Sequence, residues 1–221
     1  MVFIGIDGCP KGWIIARIER QSVSFHLVKK LSDHIVSLQN AHTILIDMPL
    51  GLLCNFRKGG RVCDQKARQL LPRNKKSSVF SAPTRSILSI DSYKQCSAKL
   101  QEEGGGLSLQ SFYILPKIRE LDEFVTNNPQ IKILEAHPEL VFQFLGSNDA
   151  PSKKSKEGRK QRIELLKNII PFIDWPPPQG FPQEDCLDAL VLAVRASQNN
   201  LNKVDEAPLC DSRGITMQIH Y

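Results

Sequence analysis

Five carboxylates stand out by where they fall in the chain. Asp7 ends the apolar run of VFIGIDG, Asp47 ends TILID and Glu135 ends KILE, while Asp185 and Asp188 open the pattern EDCLDALVLAVRAS. An acid at the close of a buried-strand pattern is placed where open α/β sheets put their sites, just outside the carboxyl ends of the strands. Left to themselves, clustered carboxylates repel one another and are costly to bury. A divalent cation removes both penalties, and hard oxygen donors suit Mg²⁺ or Mn²⁺. Two such ions about 3.5–4 Å apart clamp the attacking and leaving oxygens of a phosphodiester displacement. The chemistry expected of this set is metal-dependent hydrolysis at phosphorus. Asp7, Asp47 and Asp188 would bridge the ions, with Asp185 and Glu135 beside them.

The last helical pattern sharpens this expectation. At 100° per residue, Leu187, Leu190, Val191 and Val194 share one face, and Asp185 and Asp188 lie on the opposite one. That second face continues with Ala189, Leu192, Ala193 and Ala196, not with solvated charges. The helix is therefore expected to be buried on most sides, with its aspartates at a buried or half-buried end. Acids in a first turn also complement the helix dipole, which is a sufficient reason for Glu184 and for Glu139 after Pro138. His137 fits either proton transfer near neutral pH or a structural hydrogen bond.

The elements needed to position these residues are legible. VFIGIDG, WIIARIE and SVSFHLV read as three strands joined by tight turns, an antiparallel meander. A short helix is expected over 31–38. TILIDMPLGL reads as a buried strand of the parallel type, stopped by Pro49 and Gly51. Helices are expected over about 61–71, 91–102 and 108–126, with an irregular loop over 74–88. The strand ending in Glu135 follows, then helices from Pro138 to Leu145, from the linker 146–160 to about Ile170, and from Glu184 to about Ser197. Strands and helices in this order predict an α/β fold with a mixed five-stranded sheet, three antiparallel strands then two parallel, and helices on both faces. Residues 1–200 form a single domain on this reading, with a helical insertion at about 52–130 and a C-terminal extension over 201–221.

Composition narrows the class. The 221 residues are 41% hydrophobic, enough for a core, and no apolar stretch approaches the ~20 residues of a membrane helix. The beginning, MVFIGIDGCP, reads as a first strand and not as a signal peptide, so a cytoplasmic protein without membrane contact is expected. Six cysteines form no C-x-x-C and five histidines form no H-E-x-x-H, so the cysteines are read as reduced and structural. The net charge of +6 is uneven: residues 57–76 carry +7 and residues 151–167 carry +5, leaving −6 on the remainder. Two basic segments on an acidic body point to nucleic acid or another phosphate-rich partner.

Several short motifs now fall into line: GIDGCPKGW, IDMPLGL, R-x-CD-x-x-AR with SSVFSAPTR downstream, EAHPE and EDCLDALVLA. Together, over about residues 2–197, they resemble the predicted RNase H-like nucleases, a bacterial and archaeal family of domains of unknown function. The resemblance implies the RNase H-like sheet order. It implies an acid on the first strand, matching Asp7, and another at the end of the fourth, matching Asp47. It also implies one or two acids on the last helix, where Holliday-junction resolvases of this fold carry a D-x-x-D that Asp185 and Asp188 match. Glu135 would add an acid from the fifth strand. The family's helix motif often reads DDALDA; here Glu184 and Cys186 stand in EDCLDA, which leaves Asp185 and Asp188 in place. Arg61, Asp64 and Arg68 share one helical face, where they either pair as i, i+3 and i, i+4 salt bridges or turn Arg61 and Arg68 to the mouth of the site; with Ser78 and Arg85 of SSVFSAPTR, the two arginines are candidates for binding substrate phosphate. The expected activity is that of a Mg²⁺- or Mn²⁺-dependent nuclease. The alternatives are a nucleic-acid-binding protein on the same fold that does not cut, and a hydrolase of a small phosphorylated metabolite or nucleotide.

Overall fold

The structure, a computed structural model, describes residues 1–146 and 155–221. Residues 147–154 of the expected linker, with Lys153 and Lys154 of the second basic segment, lie outside the described residues. The chain divides into two compact units, Met1–Met48 with Asn128–Asn202 and His220–Tyr221, and Pro49–Asn127 with Lys203–Ile219. The second unit takes most of the expected insertion together with most of the expected C-terminal extension.

The first unit is built on the mixed five-stranded sheet expected from the sequence. Its strands are β1 (Val2–Cys9), β2 (Gly12–Glu19), β3 (Ser22–Val28), β4 (Thr43–Asp47) and β5 (Ile133–Glu135). They lie in the order β3-β2-β1-β4-β5, with β1–β2 and β2–β3 antiparallel and β1–β4 and β4–β5 parallel. A 3₁₀ turn at Leu31–His34 leads into α1 (Ile35–Gln39), which connects β3 to β4.

One face of this sheet carries Ile14, Ala16 and Ile18 of β2 and Leu45 of β4 into the main core. The last helix, α8 (Gln183–Ala196), packs on that face. Every residue of α8 from Cys186 to Ala196 is buried, as the apolar second face of its sequence predicts. Arg195 is buried with them, and its terminal nitrogens are bonded locally. Its Nη2 donates to the Asn200 carbonyl at 3.0 Å, to Asn202 Oδ1 at 3.1 Å and to the Tyr221 carbonyl at 2.8 Å, and its guanidinium lies 4.7 Å from the Phe144 ring centre. Trp13, also in the core, is fully buried.

The sequence explains α6 and α7 as well. α6 (Pro138–Phe144) begins at a proline, which is tolerated where the helix has no amide partner to lose. In α7 (Lys156–Ile169) the Ser155 side chain caps the helix, accepting from Gly158 N at 3.0 Å. Arg162 of α7 reaches Glu139 of α6 with both nitrogens, at 2.8 and 3.1 Å, and lies 4.7 Å from the Phe142 ring centre. The acid at Glu139 is thus explained by a two-bond ion pair with buried Arg162 in addition to the helix dipole.

The second unit is helical: α2 (Val62–Leu70), a 3₁₀ turn at Lys76–Ser78, α3 (Arg85–Leu88), α4 (Tyr93–Glu102) and α5 (Leu109–Asn127). The turn and α3 fall in the stretch expected to be irregular. The returning segment Lys203–Ile219 is bound into the unit through Asp211. Its carboxylate accepts from the backbone N of Leu52 at 3.1 Å, of Arg213 at 2.8 Å and of Ile215 at 2.9 Å, and it pairs with Arg85. No described helix in either unit is long and apolar enough to cross a membrane.

Candidate metal centre

Strand register creates the first half of the site. β1 and β4 are paired so that Gly5 is opposite Leu45 and Asp7 opposite Asp47. The two aspartates therefore stand side by side on one face, at the strand spacing of about 4.8 Å. Like charges directly opposed across a sheet destabilise it. Stability alone gives no reason for this pairing.

α8 supplies the second half, and a glycine decides how closely. A Cβ on Gly5 would lie 2.0 Å from the Ala189 carbonyl oxygen and 2.3 Å from Ala193 N. Only glycine lets the helix backbone rest directly on the strand. Gly5 and Asp7 are two residues apart and share a face. Ala189 immediately follows Asp188. The contact thus brings Asp188 down to the edge where Asp7 and Asp47 stand. One carboxylate oxygen from each of Asp7, Asp47 and Asp188 lies within 4.8 Å of the other two. Asp188 is 2% exposed and Asp7 8%, while Asp47 is half-buried and forms the open side.

The donor set fits a hard divalent ion. All three donors are carboxylate oxygens from rigid elements. Oxygens sharing one Mg²⁺ at ~2.1 Å can be no more than about 4.2 Å apart, close to the 4.8 Å within which these three lie. The neighbouring thiol does not compete. Burial, and then the charges of Asp185, Cys9 and Asp7, push Cys186 up to about 12, so it remains a protonated packing group at neutral pH. All six cysteines are free, and four of them are buried.

The remaining expected residues are placed differently. β5 pairs with β4 so that Glu135 is opposite Ile46, one residue short of Asp47. Side chains alternate across a sheet, so Glu135 projects from the face opposite that of Asp7 and Asp47. It is Ala136 that is level with Asp47, and Ala136 packs in the core beneath α8. The expectation that Glu135 points with the other two acids is corrected by this one-residue offset. Asp185 lies one turn before Asp188 and is half-buried. Among the described residues, it is not one of the acids that come together.

The expected phosphate-binding residues belong to the second unit, where most serve its own packing. Arg61 is 1% exposed. Its Nε and Nη2 donate to Asp64 Oδ1 at 3.1 and 2.6 Å, and its Nη1 to the carbonyls of Leu50 and Gly51 at 2.8 and 3.1 Å. Of the two roles open to this pair in the sequence, the i, i+3 salt bridge is the one formed. Arg68 donates to the carbonyls of Val79, at 3.0 Å, and Gly59. Arg85 holds Asp122 through two bonds of 2.9 and 2.8 Å and also pairs with Asp211. Ser78 is exposed and donates to the Lys75 carbonyl at 2.7 Å.

A family model described as "Protein of unknown function (DUF429)" matches residues 5–209. The chain belongs to the DUF429 family. The match covers Asp7, Asp47 and Asp188 and most of both units of this DUF429 member. No curated protein and no solved structure matched the chain.

Proposed function

We propose that this DUF429 protein is a divalent-metal-dependent nuclease of the RNase H-like kind, hydrolysing phosphodiester bonds at Asp7, Asp47 and Asp188. The observation that carries this reading is the convergence of three carboxylates inside 4.8 Å, two of them nearly inaccessible to solvent. Three acids so placed are a standing electrostatic cost unless a cation is held among them. Mg²⁺ or Mn²⁺, when bound, supplies the Lewis-acid charge for in-line displacement at phosphorus. Asp7 and Asp47 would hold it from adjacent strands whose register fixes their spacing, and Asp188 would close the site from the buried helix above. The half-buried Asp47 marks the side from which water and substrate approach. In the reaction, a water oxygen forms the new bond to phosphorus and gives up a proton to solvent, the bond from phosphorus to the bridging ester oxygen breaks, and that oxygen takes a proton from solvent.

The test is cleavage of labelled single-stranded, duplex and branched substrates, as DNA and as RNA, with Mg²⁺ or Mn²⁺. Asp7→Asn and Asp47→Asn are expected to abolish cleavage while the fold, followed by circular dichroism, is retained. Metal-dependent cleavage that survives in both variants overturns the assignment.

A further inference from the structure

α7 has two unlike sides. Gly158, Arg162 and Leu166 are buried, and Arg162 is occupied by Glu139. The opposite stripe carries Lys156, Arg159, Lys160 and Lys167. With Glu164 and with Gln183, the first residue of α8, these line a cleft of about 330 Å³. Four cations face one acid in this cleft. Arg159 approaches Glu184 at 3.6 Å and Lys160 approaches Glu164 at 3.9 Å, both at the long end of ion pairing. Lys156 and Lys167 have no ion-pair partner among the described residues. Lys156 is moreover the first residue of α7, where the free N–H groups disfavour a cation. A local rule is broken there with no compensating contact, which is how binding residues often show themselves.

Position along α8 links this cleft to the metal centre. Gln183 and Asp188 are five residues apart, about 7.5 Å along the helix axis at ~1.5 Å per residue. Five residues also turn the helix by about 140°, so a strand held in the cleft passes around the first turns of α8, a few nucleotides' length, to reach the acids.

We propose that the cleft between the cationic stripe of α7 and the first turn of α8 holds the sugar–phosphate backbone of the nucleic-acid strand that is cut at Asp7, Asp47 and Asp188. Lys156, Lys160 and Lys167 contact phosphates a few steps from the scissile one, and Arg159 lies between them. The inference rests on the nuclease reading of the acid site, and its test separates the two.

The full chain carrying Asp7→Asn, which cannot cut, is compared with the same chain carrying Lys156→Ala, Lys160→Ala and Lys167→Ala as well. Binding of a fluorescein-labelled strand of about 20 nucleotides, as DNA and as RNA, is followed by anisotropy across a salt series. Each lost phosphate contact lowers the slope of log K against log salt by about 0.7 for a single strand, so the triple variant should lose about 2 in slope. At about 0.1 M salt, that is roughly a hundredfold in affinity. Lys94→Ala with Lys99→Ala, on the second unit, is the control for general charge and should leave the slope within about 0.5 of the parent. A triple variant with the parent's slope overturns the cleft, as does a parent that binds neither strand. If the unmutated chain cuts while the triple variant keeps its slope, the cleft fails and the nuclease reading stands. If the slope falls as expected but the unmutated chain never cuts with either metal, the cleft stands as a binding site and the nuclease reading fails.

Discussion

Replacing Asp188 by Asn should make the metal-free protein more stable and the metal-loaded protein comparatively less so. The substitution keeps the shape of the side chain and removes its charge from a group whose oxygens lie within 4.8 Å of one another. At that distance one like-charge pair costs about 3.5 kcal/mol at an effective dielectric constant of ~20, and Asp188 takes part in two pairs, about 7 kcal/mol in all. Hydrogen bonds that the carboxylate loses as an acceptor return about 1–3 kcal/mol, and water at half-buried Asp47 screens part of the rest, so a net gain of about 1–4 kcal/mol is expected in EDTA. Manganese shifts the balance back towards the wild type, because an ion at a hundred times its Kd stabilises the wild type by about 2.7 kcal/mol and has little to bind in the variant. Urea unfolding followed by tryptophan fluorescence reads the relevant part of the molecule, since both tryptophans, Trp13 and Trp175, belong to the unit that carries the acids. A variant less stable than wild type in EDTA would refute the argument that these carboxylates are held together against their repulsion.

Other outcomes follow from the same geometry. Gly5→Ala places a Cβ 2.0 Å from a helix carbonyl and should cost at least about 3 kcal/mol, whereas Gly106→Ala, with nothing within 4 Å, should stay within about 0.5 kcal/mol; chemical denaturation distinguishes them. Removing Glu139, which leaves the buried Arg162 uncompensated, should cost about 3 kcal/mol, and a double-mutant cycle should show strong coupling between the two. Burial by itself would raise the Asp211 carboxyl, but the Arg85 ion pair and the backbone N–H groups of Leu52, Ile215 and Arg213 outweigh it and hold it below the usual carboxylate range. A depressed carboxylate stabilises the fold above its unfolded value of about 4 and loses that contribution as pH falls through its folded value, so protection of residues 203–219 from hydrogen exchange should decline below about pH 4. Asp211→Asn should flatten that decline.

The acids that meet were legible because each closes or opens an apolar pattern of clear length. VFIGID and TILID are long enough to announce strands whose ends must lie near each other in a parallel pair. The apolar second face of α8 told that Asp188 is not simply solvated. Glu135 was misplaced because the period of a strand is two and its pairing register is not written in the strand itself. β5 is only three residues long, and a shift of one residue turns its acid to the other face. The arginines show a different limit. Arg61 meets Asp64 three residues away, and that pairing was among the readings the spacing allowed. Arg85 meets Asp122 and Asp211, which are 37 and 126 residues distant, and no local pattern reveals such partners. Arg162 looks like part of a basic run in the sequence, yet the fold spends it on Glu139 and leaves Lys156, Lys160 and Lys167 on the outside.

The central claim is that Asp7, Asp47 and Asp188 form a cation site, and crystals grown with Mn²⁺ address it directly. An anomalous difference map should show manganese bound by carboxylate oxygens of all three residues, and the peak should vanish in Asp47→Asn crystals. Clear density for the three side chains with no anomalous peak among them would contradict the account.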